Sequence, residues 1–298
     1  MGRTSKVKLL SKAKPGLTGL IRSPIKWLIV NVVAWVIGVL WILPFVGLFM
    51  TSVRPFGEVA VYGWWSIHPF TFTLKNYYNA LFNPMFSLAK GFINSLIIAV
   101  PSTIIPVILA ALAAYAFARF SFPIKNYLFI MMLFLMAVPQ QMTIIPIFFM
   151  LNNMHLLNTY LGLILVHSSW GIPWITFFLR NYFSLLPKEL EEIARVDGAS
   201  NREIFFRIVL PVSLPGIISA AVLQFAWVWN DFFFALMLIY DPNKMVITQM
   251  LPRLKGQYQV DWGLLSAGSI LAMSVPILVY VLLNKYYITG FRGWAMKR

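Results

Sequence analysis

The chain contains no cysteine. A disulfide framework, a thiolate metal site and a cysteine nucleophile are therefore excluded. Charge is scarce as well: Asp, Glu, Lys and Arg make up 11% of the residues, and only nine of them are acids. With 298 residues and a hydrophobic share of 60%, the chain does not read as one or two ordinary soluble domains. It also has no G-x-x-x-x-G-K-[ST] stretch to cradle nucleotide phosphates, so hydrolysis of ATP by this chain alone is not expected.

What it does have is a series of long apolar runs. About 20 consecutive apolar residues are enough to cross the hydrocarbon core as a helix. Six runs qualify, at 27–50, 93–117, 127–150, 160–180, 214–239 and 263–284, which predicts an all-α integral membrane protein with six transmembrane helices. The first run follows a basic segment, 1–26, with seven Lys or Arg and no acid. A cleaved signal peptide has a shorter apolar core that ends in an A-x-A-like site. The run from Trp27 to Met50 is of full spanning length and lacks such a site, so a retained helix is expected.

Basic residues favour cytoplasmic loops. With both termini placed inside, the inner segments 1–26, 118–126, 180–213 and 285–298 carry 7, 2, 5 and 4 Lys or Arg, which is 18 of the 24. The outer loops 51–92 and 240–262 carry three each. The net charge of +15 is thus mostly a topology signal, and no basic stripe with interleaved aromatics points to nucleic acid. The organisation expected is a basic cytoplasmic segment (1–26), a first helix (27–50), an extracytoplasmic loop (51–92), a transmembrane core (93–284) with a cytoplasmic loop at 181–213, and a cytoplasmic tail (285–298).

That inner loop holds the most unusual stretch, "EEIARVDGAS" at 191–200. Five of the nine acids (Glu189, Glu191, Glu192, Asp197 and Glu203) fall within fifteen positions. Pro187 suits a first helical position, and the three glutamates place negative charge in the first turn, where the helix dipole favours it. Leu190, Ile193 and Ala194 share one face. Gly198 supplies a left-handed residue that ends the helix, and Ser200 with Glu203 reads as a capping box that opens a second short helix. Arg207 continues this helix, and Pro211 and Pro215 close it. The product is helix, glycine turn, helix at the membrane surface. It reads either as a solvated amphipathic loop or as a docking element for another protein.

Only one acid lies in a span. Asp231 sits in "QFAWVWNDFFF", where Gln224, Trp227 and Asp231 share a helix face and Asn230 adjoins them. An ionisable group at such depth faces the bundle or a wet cavity. Counting about 1.5 Å per residue places Asp231, His167, Gln140 and Gln141 at one level in the outer half, with Trp170 and Trp174 on the following turns. Polar groups beside flat aromatic faces suit a carbohydrate in a pathway. Bracing of helix packing is the other reading of the same residues.

The stretch "EEIARVDGASNREIFFRIVLP" resembles the signature of binding-protein-dependent ABC importer permeases. In that signature Glu-Ala-Ala is followed after three residues by Gly, and after nine more by Ile-x-Leu-Pro. Glu192, Ala194, Gly198, Ile208, Leu210 and Pro211 fall at those positions, and Ile193 replaces the middle Ala. "FINSLIIA" at 92–99, "AALAAYAFARFSFP" at 110–123, "WND" at 229–231 and "ITGFRGWAMK" at 288–297 resemble the carbohydrate-uptake branch of the maltose-transporter type, in particular its smaller membrane subunit. The resemblance covers roughly 90–298.

The resemblance implies a type I ABC importer permease fold in a prokaryotic cytoplasmic (inner) membrane. It implies that the loop, including Glu191, Asp197 and Ala199, is a coupling helix that docks on an ATPase subunit. The partners it implies are a second, different permease, two ATP-binding subunits that use ATP and Mg, and an extracytoplasmic sugar-binding protein. This chain would itself bind no cofactor, hold no metal and carry no catalytic residue. Within the class, a permease for a sugar phosphate, polyol, amino acid or phosphate remains open. A secondary transporter predicts several intramembrane ionisable groups and often an internal repeat, which the sequence lacks. A membrane-embedded transferase would want paired acids near a surface, and the only acid cluster has the coupling-loop pattern.

Overall fold

The computed structural model describes residues 24–84, 87–256 and 260–295, with only the backbone course given for 287–295. The basic leader up to residue 23 and the side chains of "ITGFRGWAMK" lie outside the described residues. Among the described residues the chain is helical and has no strand. Four helices are long and apolar enough to cross a membrane, and two bent pairs raise the number to six if each pair counts as one span.

The first spanning helix, α1 (Pro24–Ser52), is almost wholly exposed along its length and packs chiefly on the last helix. The segment that follows, expected from the sequence as an outer loop, is not structureless. It forms α2 (Phe56–Tyr62) and α3 (Lys75–Leu81) around Arg54, which is fully buried. Arg54 pairs with Glu58 at 3.3 Å and donates to the carbonyls of Gly63, Ser66 and Pro69, so one guanidinium gathers the loop. The fork geometry of arginine suits it to several acceptors at once.

The second span begins earlier than its apolar run suggests. It comprises α4 (Leu88–Ala99) and α5 (Pro101–Arg119), joined through Val100 in helical conformation. Pro101 stands at the start of α5, where its missing N–H costs little. The third run, 127–150, is not one helix. It divides into α6 (Lys125–Ala137) and α7 (Gln140–Asn153), which meet at 101°. The cause is local: a proline disfavours the α region for the residue before it, and Val138 is extended, with φ −71° and ψ 123°. Helix α8 (Tyr160–Ser184) extends past the expected residue 180 and packs along α5 in the most extensive helix pair among the described residues.

The segment expected as the inner loop carries α9 (Glu189–Val196) and α10 (Asn201–Ile204). Pro187 lies outside α9, two residues before its first helical residue, rather than at the first position. Gly198 has φ +87°, the left-handed value that favours glycine. Ser200 and Glu203 form the reciprocal capping box. Helix α10 then runs through a π turn at Phe205–Val209 into α11 (Leu210–Val212), and the chain bends by 73° into α12 (Leu214–Asn230). The fifth run, 214–239, is broken in turn. After Asn230 the backbone is extended at Asp231, and α13 (Phe233–Leu238) follows. Helix α14 (Ile247–Met250) packs on α4, and α15 (Trp262–Ala295) is the last span. The helix thus continues through most of the segment expected as a tail.

Two apolar clusters fill the bundle. One gathers α4, α8 and α12–α14 around Leu163, Trp229 and Phe234. The other joins α5, α8, the π turn and α12 around Tyr115, Leu179, Phe183 and Phe205.

Candidate functional site

Two regions matter, and both are set by the breaks in the helices. The first lies where α7, α8, α12 and α13 meet. The Asp231 carboxylate accepts from the backbone N–H groups of Phe234 at 3.4 Å and Ala235 at 3.0 Å, so it caps α13. Short acidic side chains compete with helical hydrogen bonding in this way, which accounts for the break. His167 Nε2 lies 3.6 Å from the same carboxylate, and both side chains are 6% exposed. Gln224 is buried too. It accepts from the Trp174 indole at 2.9 Å and donates to the carbonyls of Ser102 at 3.0 Å and His167 at 3.3 Å. Gly171 permits this close packing, since a Cβ there would meet the Gln224 amide at 2.7 Å.

Gln140, His167, Trp170, Gln224 and Trp227 line one small void. A further cavity of about 250 Å³ opens at the elbow of α6 and α7, lined by Leu135, Thr143, Ser169 and Trp170 among others. The sequence-predicted residues therefore come together in space but sort into two kinds. Asp231, His167, Gln224 and Trp174 are engaged with the protein's own backbone and side chains. Gln141, Trp227 and Asn230 are exposed, although the Asn230 amide also donates to the Ala226 carbonyl at 2.8 Å, and Gln140 and Trp170 are half-buried.

The second region is the inner loop. Leu190, Ile193 and Ala194 were expected on one face, but only Leu190 and Ile193 are exposed, together with Val196 at 87%. Ala194 packs inward on the cluster around Phe205, as do Ala199 and Leu210. Glu189, Glu192 and Asp197 are exposed beside the apolar residues, Ile208 is half-buried and Pro211 exposed. Glu191 departs from expectation. It is 2% exposed, and Arg119 Nε reaches it at 2.6 Å. An outward contact made by Glu191 is thereby corrected: burying an unpaired carboxylate is costly, and the sequence places a cation at the end of α5 to meet it. Arg54 and Arg119 are the functional-looking cations that sequence reading passed over. Their only signal was position, each being the basic residue beside the end of an apolar run.

Long apolar helices broken at buried polar groups, with a charged two-helix loop between them, define a polytopic membrane protein built around a pathway. The family description "Binding-protein-dependent transport system inner membrane component" matches residues 106–292, and the chain belongs to that family. It is 60% identical over 273 residues to a probable ABC transporter permease protein of Pyrococcus horikoshii, covering 92% of this chain and 99% of the other. It is 38% identical over 235 residues to an alpha-glucoside transport system permease protein of Rhizobium meliloti, covering 77% and 61%. Among solved structures, a chain of a bacterial ABC transporter that imports the acidic polysaccharide alginate superposes with a TM-score of 0.74 at 20% identity, covering 89% of this chain and 98% of that one.

Proposed function

We propose that this permease is one half of the translocation pathway of a sugar importer, and that α9 is its contact with an ATP-binding subunit. The observation that carries the reading is the outer face of α9. Leu190, Ile193 and Val196 are exposed there, with Glu189, Glu192 and Asp197 around them. Apolar residues rimmed by charge mark a protein contact. The alpha-glucoside relative supports a mono- or oligosaccharide as cargo. Gln141, Trp227 and Asn230 support it too, because exposed polar groups at that depth are costly against lipid and suit a wet pathway or a second permease. In this reading both termini are cytoplasmic. The partners are a different permease, two ATPases that bind ATP and Mg, and a sugar-binding protein outside.

The test is Ile193→Asp and Val196→Asp, each placing a carboxylate on the contact face. ATPase recovery with the purified permease pair should fall on the order of tenfold, the effect of losing a central apolar contact. Membrane insertion and pairing with the second permease should stay normal. Undiminished ATPase recovery in both variants contradicts the reading.

A further inference from the structure

Glu191 lies within the stretch proposed to dock, yet it faces the other way. Its Oε1 accepts from Arg119 Nε at 2.6 Å, its Oε2 accepts from the Tyr115 hydroxyl at 3.2 Å, and the Arg195 guanidinium stands 3.6 Å away. Arg119 also donates through Nη2 to the Leu186 carbonyl at 3.2 Å. One arginine, the last residue of α5, thus holds both the turn that leads into α9 and α9 itself. Tyr115, one turn earlier, packs its ring 5.0 Å from Phe205 in the π turn. The network ties four pieces of the inner surface together.

Helix α9 is otherwise lightly attached, its chief helical neighbour being the short α10. By contrast, α5 packs along α8, the helix that carries His167, Trp170 and Trp174. A buried ion pair is weak evidence for stability, since desolvation of both charges offsets their attraction. What such a pair provides is fixed geometry: the side chains of Arg119 and Glu191 are 5% and 3% exposed, with directional bonds on both carboxylate oxygens.

We infer that Glu191 and Arg119 are positioning residues of the transport step, joining the docking helix to α5 as a rigid strut. Displacement of α9 by the ATPase is then passed to the α5–α8 pair and so to the pathway residues. The inference rests on the docking role proposed for α9, and assigns Glu191 to transmission rather than to contact. Packed side chains, salt-bridge networks and rigid elements can carry coupling between two sites, and this network supplies such a connection.

The experiment uses the complete importer in vesicles, with Glu191→Gln and Arg119→Gln in this chain. ATPase subunits should co-purify at wild-type levels and hydrolysis should continue, while uptake per ATP hydrolysed falls about tenfold, as for mutations along a coupling network. Wild-type uptake per ATP in the assembled variants overturns the strut. Loss of ATPase recovery in them does so too, because Glu191 would then serve docking. A second measurement needs no change to the network. The chain has no cysteine of its own, so spin labels at Ser121→Cys and Lys188→Cys report the separation of α9 from the end of α5. That separation should be the same with and without bound ATP, and a change of several ångströms, on the order of a helix shift, overturns the inference. Ile193→Asp and Val196→Asp in the same system separate the two ideas: intact ATPase recovery in both defeats the docking role itself, whatever the strut does.

Discussion

At the scale of single residues, polar groups inside the spans divide by whether the protein already satisfies them. Asp231 accepts two backbone N–H groups and lies near His167. Asp231→Asn keeps an acceptor for the cap and should leave thermal stability of the purified permease pair near wild type. Asp231→Leu removes the cap, a loss of about 1–2 kcal/mol, and should lower the melting temperature with little change in the apparent affinity for sugar. Trp227, 47% exposed, should behave the opposite way. Trp227→Ala should weaken the apparent uptake affinity several-fold while melting is unchanged. A shift in uptake affinity for Asp231→Asn, or a stability loss alone for Trp227→Ala, contradicts this division. The sequence made Asp231 conspicuous as a lone carboxylate in an apolar run. It did not disclose the cap, because the three phenylalanines that follow look like uninterrupted helix.

At the scale of elements, breaks between helices were the least legible feature. Hydropathy runs continue across Pro139 and Asp231, since a bend changes backbone direction and not composition. The turn chemistry of the inner loop was far more readable. Gly198 and the Ser200–Glu203 box are local devices whose partners lie within a few residues. The inward direction of Glu191 was not legible, because its partner, Arg119, is distant in sequence.

The capping box carries a pH dependence. The Ser200 backbone N–H donates to the Glu203 carboxylate at 3.0 Å and the Ser200 hydroxyl at 2.9 Å, and they hold its pKa below the ordinary 4.5. A folded-state value below the unfolded one means the contribution is full above 4.5 and is lost as pH falls through the folded value. Hydrogen-exchange protection of the amides of α10 should therefore decline below that range, and Glu203→Gln should flatten the decline. Protection that is independent of pH there, with Glu203 intact, contradicts the assignment.

At the scale of the molecule, composition alone conveyed the helical membrane fold, because bilayer thickness dictates the length of each apolar run. The described helices extend that plan at most ends, by a few residues at the first three spans and by eleven at the end of the last. What composition does not convey is that the outer loop is gathered by Arg54, or that α1 stands apart on α15 with most of its surface uncovered. A bundle with so exposed a first helix, and an inner loop that presents apolar residues to water, is shaped as one part of an assembly. The most direct test is the mass of the complex purified after co-expression with a cognate second permease, ATPase and binding protein. The account predicts one copy of this chain, one of the second permease and two ATPases, with uptake in vesicles only when all are present. A functional complex containing two copies of this chain and no second permease, or uptake without the ATPase, would contradict it.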